Sequence, residues 1–242
     1  LMKNLLNYKI FNKNVLFRAD LNVPVVNGKI TDKSRMFAVK KSIKKLIVNK
    51  NKIFIIAHYG RPNGKFNKKY SLKFLSTEVQ KIFEQDREHF IDNLDQKIVS
   101  NKIQEMKYGE VCLVENIRFN PEEEKLDLDF AKNVTSQFDV YVNDAFSASH
   151  RNHSSIIGFA KYLPAVAGDH FLNEIKNIDY FINNTKKPNL AIIGGSKIST
   201  KIKLLKNLVN QFSSIVIGGA MANTFLLANE FPIGISLVEK NL

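Results

Sequence analysis

The sequence predicts an α/β protein: a parallel sheet flanked by helices on both faces, Rossmann-like, with the start of a second similar α/β domain after it. Three observations carry this. Short apolar runs rich in β-branched and aromatic residues alternate with amphipathic helical patterns along the whole chain. Strict alternation of that kind requires helical crossovers, and hence parallel strands covered on both sides. Finally, the polar and glycine-rich stretches fall just after the apolar runs, where open parallel sheets bind their ligands.

Taken in order, "VLFRAD" (15–20) is the first strand, and Asp20, Asn22 and Pro24 follow at its end. Two hydrogen-bonding side chains at the end of a core strand need partners. Asp32 then caps a helical pattern over 32–49, with Met36, Val39, Ile43, Leu46 and Ile47 on one face. "KIFIIAH" (52–58) is the second strand and ends on His58, with Arg61 three residues on. Helical patterns at 71–84 and 95–107 lead to "EVCLVEN" (110–116), after which comes Arg118. A helix at 127–136 precedes "DVYVND" (139–144), followed by His150 and Arg151. A helix at 169–184 leads to the strand "NLAIIGG" (189–195), the helix 199–211 and the strand "SIVIGG" (214–219).

Composition narrows the function classes. No run of 18 apolar residues occurs, so no transmembrane helix is expected, and "LMKNLLNYKIFNKN" is too interrupted by Lys and Asn to be a secretory core. The expected location is cytoplasmic, with no membrane partner. The single cysteine, Cys112, lies in an apolar run and is expected to be a buried strand residue. A formal net charge of +13 raises a nucleic-acid partner. The Lys residues are spread along helices and loops with no interleaved aromatic ladder, however, so a solvated Lys-rich surface is favoured and no nucleic acid is expected. Salt-sensitive binding to single strands would distinguish an RNA-binding module.

Arginine is used differently from lysine. Of 36 basic residues only six are Arg, at 18, 35, 61, 87, 118 and 151. The planar guanidinium grips carboxylate or phosphate bidentately, which an ammonium cannot do. Any one of these is most simply a surface ion pair. Four of them, with His58, fall in or beside loops after predicted strands, and parallel strand ends share one rim. A rim that collects Arg35, Arg61, Arg118, Arg151 and His58 suits a multiply charged anion. Asp20 and Asn22 are placed to hold hydroxyl groups of such an anion or to orient neighbouring Arg side chains. His58 can meet it as an imidazolium, whose pKa ligand would raise, or as a neutral donor.

Toward the carboxyl end, "NLAIIGGSKISTKIKLL" runs from a strand through Gly194 and Gly195 into a helix bearing Lys197 and Lys201 on its first turns. "IVIGGAMANTF" repeats the plan with Gly218 and Gly219. Glycines let a phosphate approach the backbone and a helix start offers free N–H groups, yet each Gly pair serves equally well as a tight strand-to-helix turn. Neither G-x-x-x-x-G-K-[ST] nor G-x-G-x-x-G occurs.

"RADLNVP", "DKSR", "HYGRP", "ENIRFNPEEE", "VNDAFSASHR", "GGSKISTK" and "GGAMANTF", in that order, closely resemble the phosphoglycerate kinase family from about residue 4 to the last residue. The resemblance implies a two-lobed kinase. Residues 1–168 would bind 3-phosphoglycerate or 1,3-bisphosphoglycerate, 169–187 would be an interdomain helix and hinge, and 188–242 would begin the domain that binds ATP or ADP with Mg2+. Carried over position by position, Asp20, Asn22, Arg35, His58, Arg61, Arg118 and Arg151 become substrate-binding residues. Gly194, Gly195, Lys197, Lys201, Gly218 and Gly219 become nucleotide-binding residues, with Arg35 and Lys197 as the catalytic pair. A monomer is expected.

Departures from the family pattern are small: Tyr59 for Leu, Ser147 and Ser149 before His150, Ser196 and Thr200 in the lysine loop, and Ala220 for a third glycine. The larger expectation is that the chain ends early in the second domain, before the magnesium ligand and adenine pocket, and is inactive as a kinase alone. A non-catalytic scaffold that retains the anion site is the other alternative.

Overall fold

The computed structural model describes residues 2–184 and 186–239; Leu1, Thr185 and residues 240–242, which fall within the substrate-domain, hinge and second-domain segments assigned above, lie outside the described residues. The chain divides into two compact units, Leu1–Asn177 and Ile178–Leu242.

In the amino-terminal unit, β1 (Asn14–Arg18) is followed by a small hairpin of β2 (Val25–Val26) and β3 (Lys29–Ile30). The hairpin turns on Asn27 and Gly28, at φ 50° and 73°, as a two-residue loop with left-handed residues requires. Next come α1 (Ser34–Ala38), α2 (Lys40–Val48), β4 (Lys52–Ile56), α3 (Ser76–Ile82), β5 (His89–Ile91), α4 (Gln96–Glu105) and β6 (Val111–Val114). The rest is α5 (Leu128–Thr135), β7 (Val140–Asn143), α6 (Phe159–Tyr162), β8 (Ala165–Ala167) and the start of α7 (Asp169–Asn183). The strands form one parallel six-stranded sheet in the order β5-β6-β4-β1-β7-β8.

Alternation along each strand sends successive side chains to opposite faces. Val15 and Phe17 of β1 pack with Met36, Val39, Ile43, Leu46 and Val79 on one side, whereas Leu16 packs with Phe54, Cys112, Val134, Tyr141 and Phe159 on the other. Cys112 is buried and unpaired, as its setting predicts. The chain leaves β1 toward β4 and leaves β7 toward β8, in opposite directions, so a crevice opens at the carboxyl ends of these neighbours.

The predicted strands are all present, slightly shortened at their polar ends. The short strands β5 and β8 and the hairpin were not expected, because two or three residues are too few to set a period. The 32–49 pattern is two helices, broken at Val39 (φ −88°, ψ −4°). Asp32 does not cap it by position: its carboxylate accepts from Ser34 N at 2.7 Å, but Asp32 stands one residue ahead of the N-cap, Lys33. Asp95 and Asp127 do cap α4 and α5. The first turn of α7 is held by Ser42 Oγ accepting from Asp169 N (2.8 Å) and Asp144 Oδ1 accepting from Phe171 N (2.8 Å).

The carboxyl-terminal unit contains the rest of α7, β9 (Leu190–Gly194), α8 (Ile202–Val209), β10 (Ser214–Gly218) and α9 (Ala220–Ala228). β9 and β10 form a parallel pair, with a small core of Ile193, Ile198 and Met221 beneath it. No helix among the described residues is long and apolar enough to cross a membrane.

Candidate functional site

The loops at the carboxyl ends of β1, β4, β6 and β7 are tied to one another by the residues singled out in the sequence. Asp20 forms an ion pair with Arg35 of α1 and accepts from Ser147 Oγ in the loop after β7. Its other oxygen accepts from Asn22 N at 3.1 Å. Asn22 Oδ1 in turn accepts from Gly60 N at 3.0 Å, and Arg118 Nη1 donates to Gly60 O at 2.8 Å. Both polar groups of Gly60 are thus taken by candidate site residues. Only glycine serves there, because φ is +59° and a Cβ would fall 2.4 Å from the Tyr70 ring.

Arg118 is buried. Its Nε lies 3.0 Å from Glu124 Oε1, an ion-pair distance, yet makes no hydrogen bond, so part of its donor fork is uncommitted. Burial, with Arg151 and Arg18 nearby, lowers its pKa below the usual guanidinium value despite the opposing pull of Glu124; an arginine remains charged. His58 is buried too, and its pKa is pushed down to about 2, first by burial and then by the charges of Arg18, Arg118, Arg151 and His153. In the free protein this environment disfavours the imidazolium. The same field is what an entering anion would neutralise.

Asp20, Asn22, Arg35, His58 and Arg118 are thus drawn together, with Arg151 half-buried and close enough to act electrostatically on His58 and Arg118. Arg61 is exposed on the loop beside Gly60, and His150 is exposed as well. Clefts flank the rim. One of about 380 Å³ is lined by Asp20, Arg35, Asp144, Ser147, His170 and Glu174, and another includes Asn22, Arg35, Tyr59, Gly60 and Lys69.

Several residues that build the rim escaped the sequence argument. Glu115 accepts from Leu72 N (2.7 Å) and Ser71 Oγ, and Asn116 Nδ2 donates to the carbonyls of Tyr59 (2.7 Å) and Tyr70 (2.9 Å). Together they brace the loop that carries Arg61. Polar residues at the end of a buried strand, the argument applied to Asp20 and Asn22, would have found them. Arg18 is 1% exposed, and Glu123 wholly buried beside Ser155; Arg18 shares the Leu16 face by its period-two spacing.

In the carboxyl-terminal unit the two glycine turns abut. Met221 N donates to Gly195 O at 2.9 Å, and a Cβ on Gly219 (φ +67°) would come within 2.9 Å of that oxygen. Lys201 Nζ lies over Gly195, 3.0 Å from where a Cβ would stand. Gly194 has open space instead, and a Cβ on Gly218 would meet only the Ile193 carbonyl oxygen at 3.9 Å. Lys197 is exposed and Lys201 half-buried. The amides expected to be free before the helix are not: Glu239 Oε2 accepts from Ile198 N (2.8 Å) and Ser199 N (3.0 Å).

The fold and the rim define an open-sheet α/β protein with a buried cationic cluster at the carboxyl ends of its strands. The phosphoglycerate kinase family profile matches residues 5–242, and the chain belongs to that family. It is 45% identical over 233 residues to the phosphoglycerate kinase of Rhizobium meliloti strain 1021, covering 96% of this chain and 58% of that relative. It is 44% identical over 227 residues to that of Borreliella afzelii strain PKo, covering 94% and 58%. The solved phosphoglycerate kinase structure from Coxiella burnetii matches with a TM-score of 0.82 at 36% identity, over 99% of this chain and 60% of that one. That from Pyrococcus horikoshii OT3 matches at 0.83 and 30% identity, over 96% and 59%. The chain therefore spans a little under three fifths of the length of these curated relatives.

Proposed function

We propose that the amino-terminal rim binds 3-phosphoglycerate or 1,3-bisphosphoglycerate, and that the chain represents the substrate-binding half of a cytoplasmic, monomeric glycolytic kinase together with part of its nucleotide-binding region. The observation that carries this is the wiring of Asp20, Asn22, Arg35 and Arg118 through Gly60 and Ser147 into one preassembled surface, with His58 held beside it by Arg18. Asp20 and Asn22 face the hydroxyl and carboxylate end, while Arg61, Arg118, Arg151 and His58 take the phosphate. A scaffold with no ligand has no need of a buried Arg with uncommitted donors.

The reaction proposed is direct transfer of a phosphoryl group from the acyl oxygen of 1,3-bisphosphoglycerate to the terminal phosphate of ADP, with no covalent enzyme intermediate. Such transfer rests on positioning and charge neutralisation. Arg35 and Lys197 are assigned the equatorial oxygens, and Lys201 with Gly194, Gly195, Gly218 and Gly219 the nucleotide phosphates. The segment 169–187 acts as the hinge that lets nucleotide and triose acid meet away from water. The family resemblance implies that Mg2+ arrives with the nucleotide. Among the described residues no group of three or more His, Cys, Asp or Glu side chains is placed to hold a metal.

Calorimetric titration with 3-phosphoglycerate tests the proposal. Wild type should bind it in preference to sulfate, and Arg118→Gln should lose about 1.5–3 kcal/mol of that binding, the scale of a charge-assisted hydrogen bond. Equal binding of sulfate and 3-phosphoglycerate, unaltered by the substitution, would refute a specific triose-acid site.

A further inference from the structure

Arg18 is the last residue of β1 and one of the largest wholly buried side chains in the protein. Its guanidinium is fully directed. Nε donates to Ser155 Oγ at 3.1 Å, Nη1 to the carbonyl of Ala19, and Nη2 lies 3.2 Å from His58 Nδ1. We propose that Arg18 is a positioning residue that fixes His58 as the neutral imidazole protonated on Nε2, so that His58 meets an anion as a hydrogen-bond donor and not as a cation.

A guanidinium offers only N–H donors and no lone pair. The nitrogen of His58 that faces it must therefore be the acceptor, and the single ring proton must sit on Nε2. Placing a proton on Nδ1 would set N–H against N–H and add a cation to a cluster that already holds Arg18, Arg118 and Arg151, with His153 beside them. His58 Nε2 makes no hydrogen bond among the described residues, nor is it among the buried atoms left without a partner. Its proton is accordingly available at the rim.

The guanidinium is itself held from behind. Ser155 Oγ donates to Glu123 Oε1 and Ser155 N to Glu123 Oε2 at 2.8 Å. Glu123 is wholly buried, with His153 Nδ1 3.5 Å away. The only buried carboxylate in this chain of contacts thus sits two side chains back from His58, where it balances Arg18 without offering His58 an acceptor. Had it touched the imidazole directly, it would have favoured the imidazolium. The sequence Glu123, Ser155, Arg18, His58 sets a tautomer, a role that the burial of Arg18 alone does not require.

This rests on the proposed function only for the nature of the anion; the tautomer is a property of the free protein. Long-range 1H–15N correlation spectra of the 15N-labelled chain read it directly, with His58 assigned by the signals missing in His58→Gln. A single species with Nε2 protonated and Nδ1 bare, unchanged between about pH 8 and 5, is expected. Arg18→Met should release it to a mixture of tautomers, and Arg18→Lys, which keeps a donor, should retain the Nε2–H form. An Nδ1–H or imidazolium species in wild type at about pH 6 would overturn the proposal, as would an unchanged spectrum in folded Arg18→Met. If Arg18→Met does not fold, the wild-type spectrum alone decides. Failure to bind 3-phosphoglycerate in calorimetry would defeat the functional proposal and leave these spectra as they are.

Discussion

The two units follow one plan, a parallel strand running into a loop and then a helix, and differ in how much of the strand is covered. In β1 and β4 four of five residues are buried, on both faces. In β9 only Ala191 and Ile193 are, while Leu190 and Ile192 are 51% and 74% exposed. "KIFIIAH" and "NLAIIGG" look alike as strings; what separates them is whether helices lie on one face or two. The difference extends to function. In the amino-terminal rim Asp20, Arg35 and Arg118 are locked by partners, whereas Lys197 and Lys201 stand on a two-stranded sheet over a core of three buried residues. The residues proposed to position the substrate therefore lie in the well-packed region, and those proposed to handle nucleotide phosphates in one whose local stability is low.

The sharpest way to break this contrast is to cut the amino-terminal unit's charge network. Glu123→Ala leaves Arg18 buried without its counter-charge, which should cost about 3–5 kcal/mol. Denaturant unfolding monitored in the amino-terminal unit should show it, and a loss under 1 kcal/mol, roughly the scale of a surface pair, would mean that the rim is not held as described.

The next test uses pH. The folded-state pKa of His58 is pushed down to about 2 from 6.5, so below 6.5 the unfolded chain binds a proton that the folded chain refuses. The stability is whole above the unfolded value and is lost as pH falls through that window, reaching about 2 kcal/mol by about pH 5. His58→Gln should lose correspondingly less stability between about pH 7 and 5 than wild type. Parallel pH curves for the two proteins would contradict the buried neutral imidazole.

The smallest effect belongs to the other unit. The Glu239 carboxyl is held below its usual pKa by hydrogen bonds from Ser199 and Ile198, and is exposed. Glu239→Gln should speed amide exchange at Ile198 and Ser199 and leave the unfolding of the amino-terminal unit unchanged. A shift of that unfolding midpoint would show that the units are not separable in this way.

Much of this was legible in the sequence. The longer strands declare themselves by apolar runs, and Asp95 and Asp127 by their place before apolar periods. The polar strand ends pointed to the rim, and the family motifs to its residues. Strand order was not legible, because crossovers carry no pairing signal. Nor was the break at Val39, where the apolar face runs on through the kink. Arg18 was hidden by its own surroundings: an Arg inside a strand reads as an edge position until the buried Glu123, more than a hundred residues on, is seen to balance it. Glu239 was invisible for the same reason, as its partners lie 40 and 41 residues away.

The most direct test of the account is amide hydrogen exchange of the whole chain with and without 3-phosphoglycerate. The amides of β1, β4 and β6 should exchange on the order of 10²-fold more slowly than those of β9 and β10, and ligand should add protection at Asn22, Gly60, Arg118 and Arg151 while leaving β9 and β10 as they were. Protection that appears equally in both units, or not at all at those four positions, would contradict a preassembled triose-acid site confined to the amino-terminal unit.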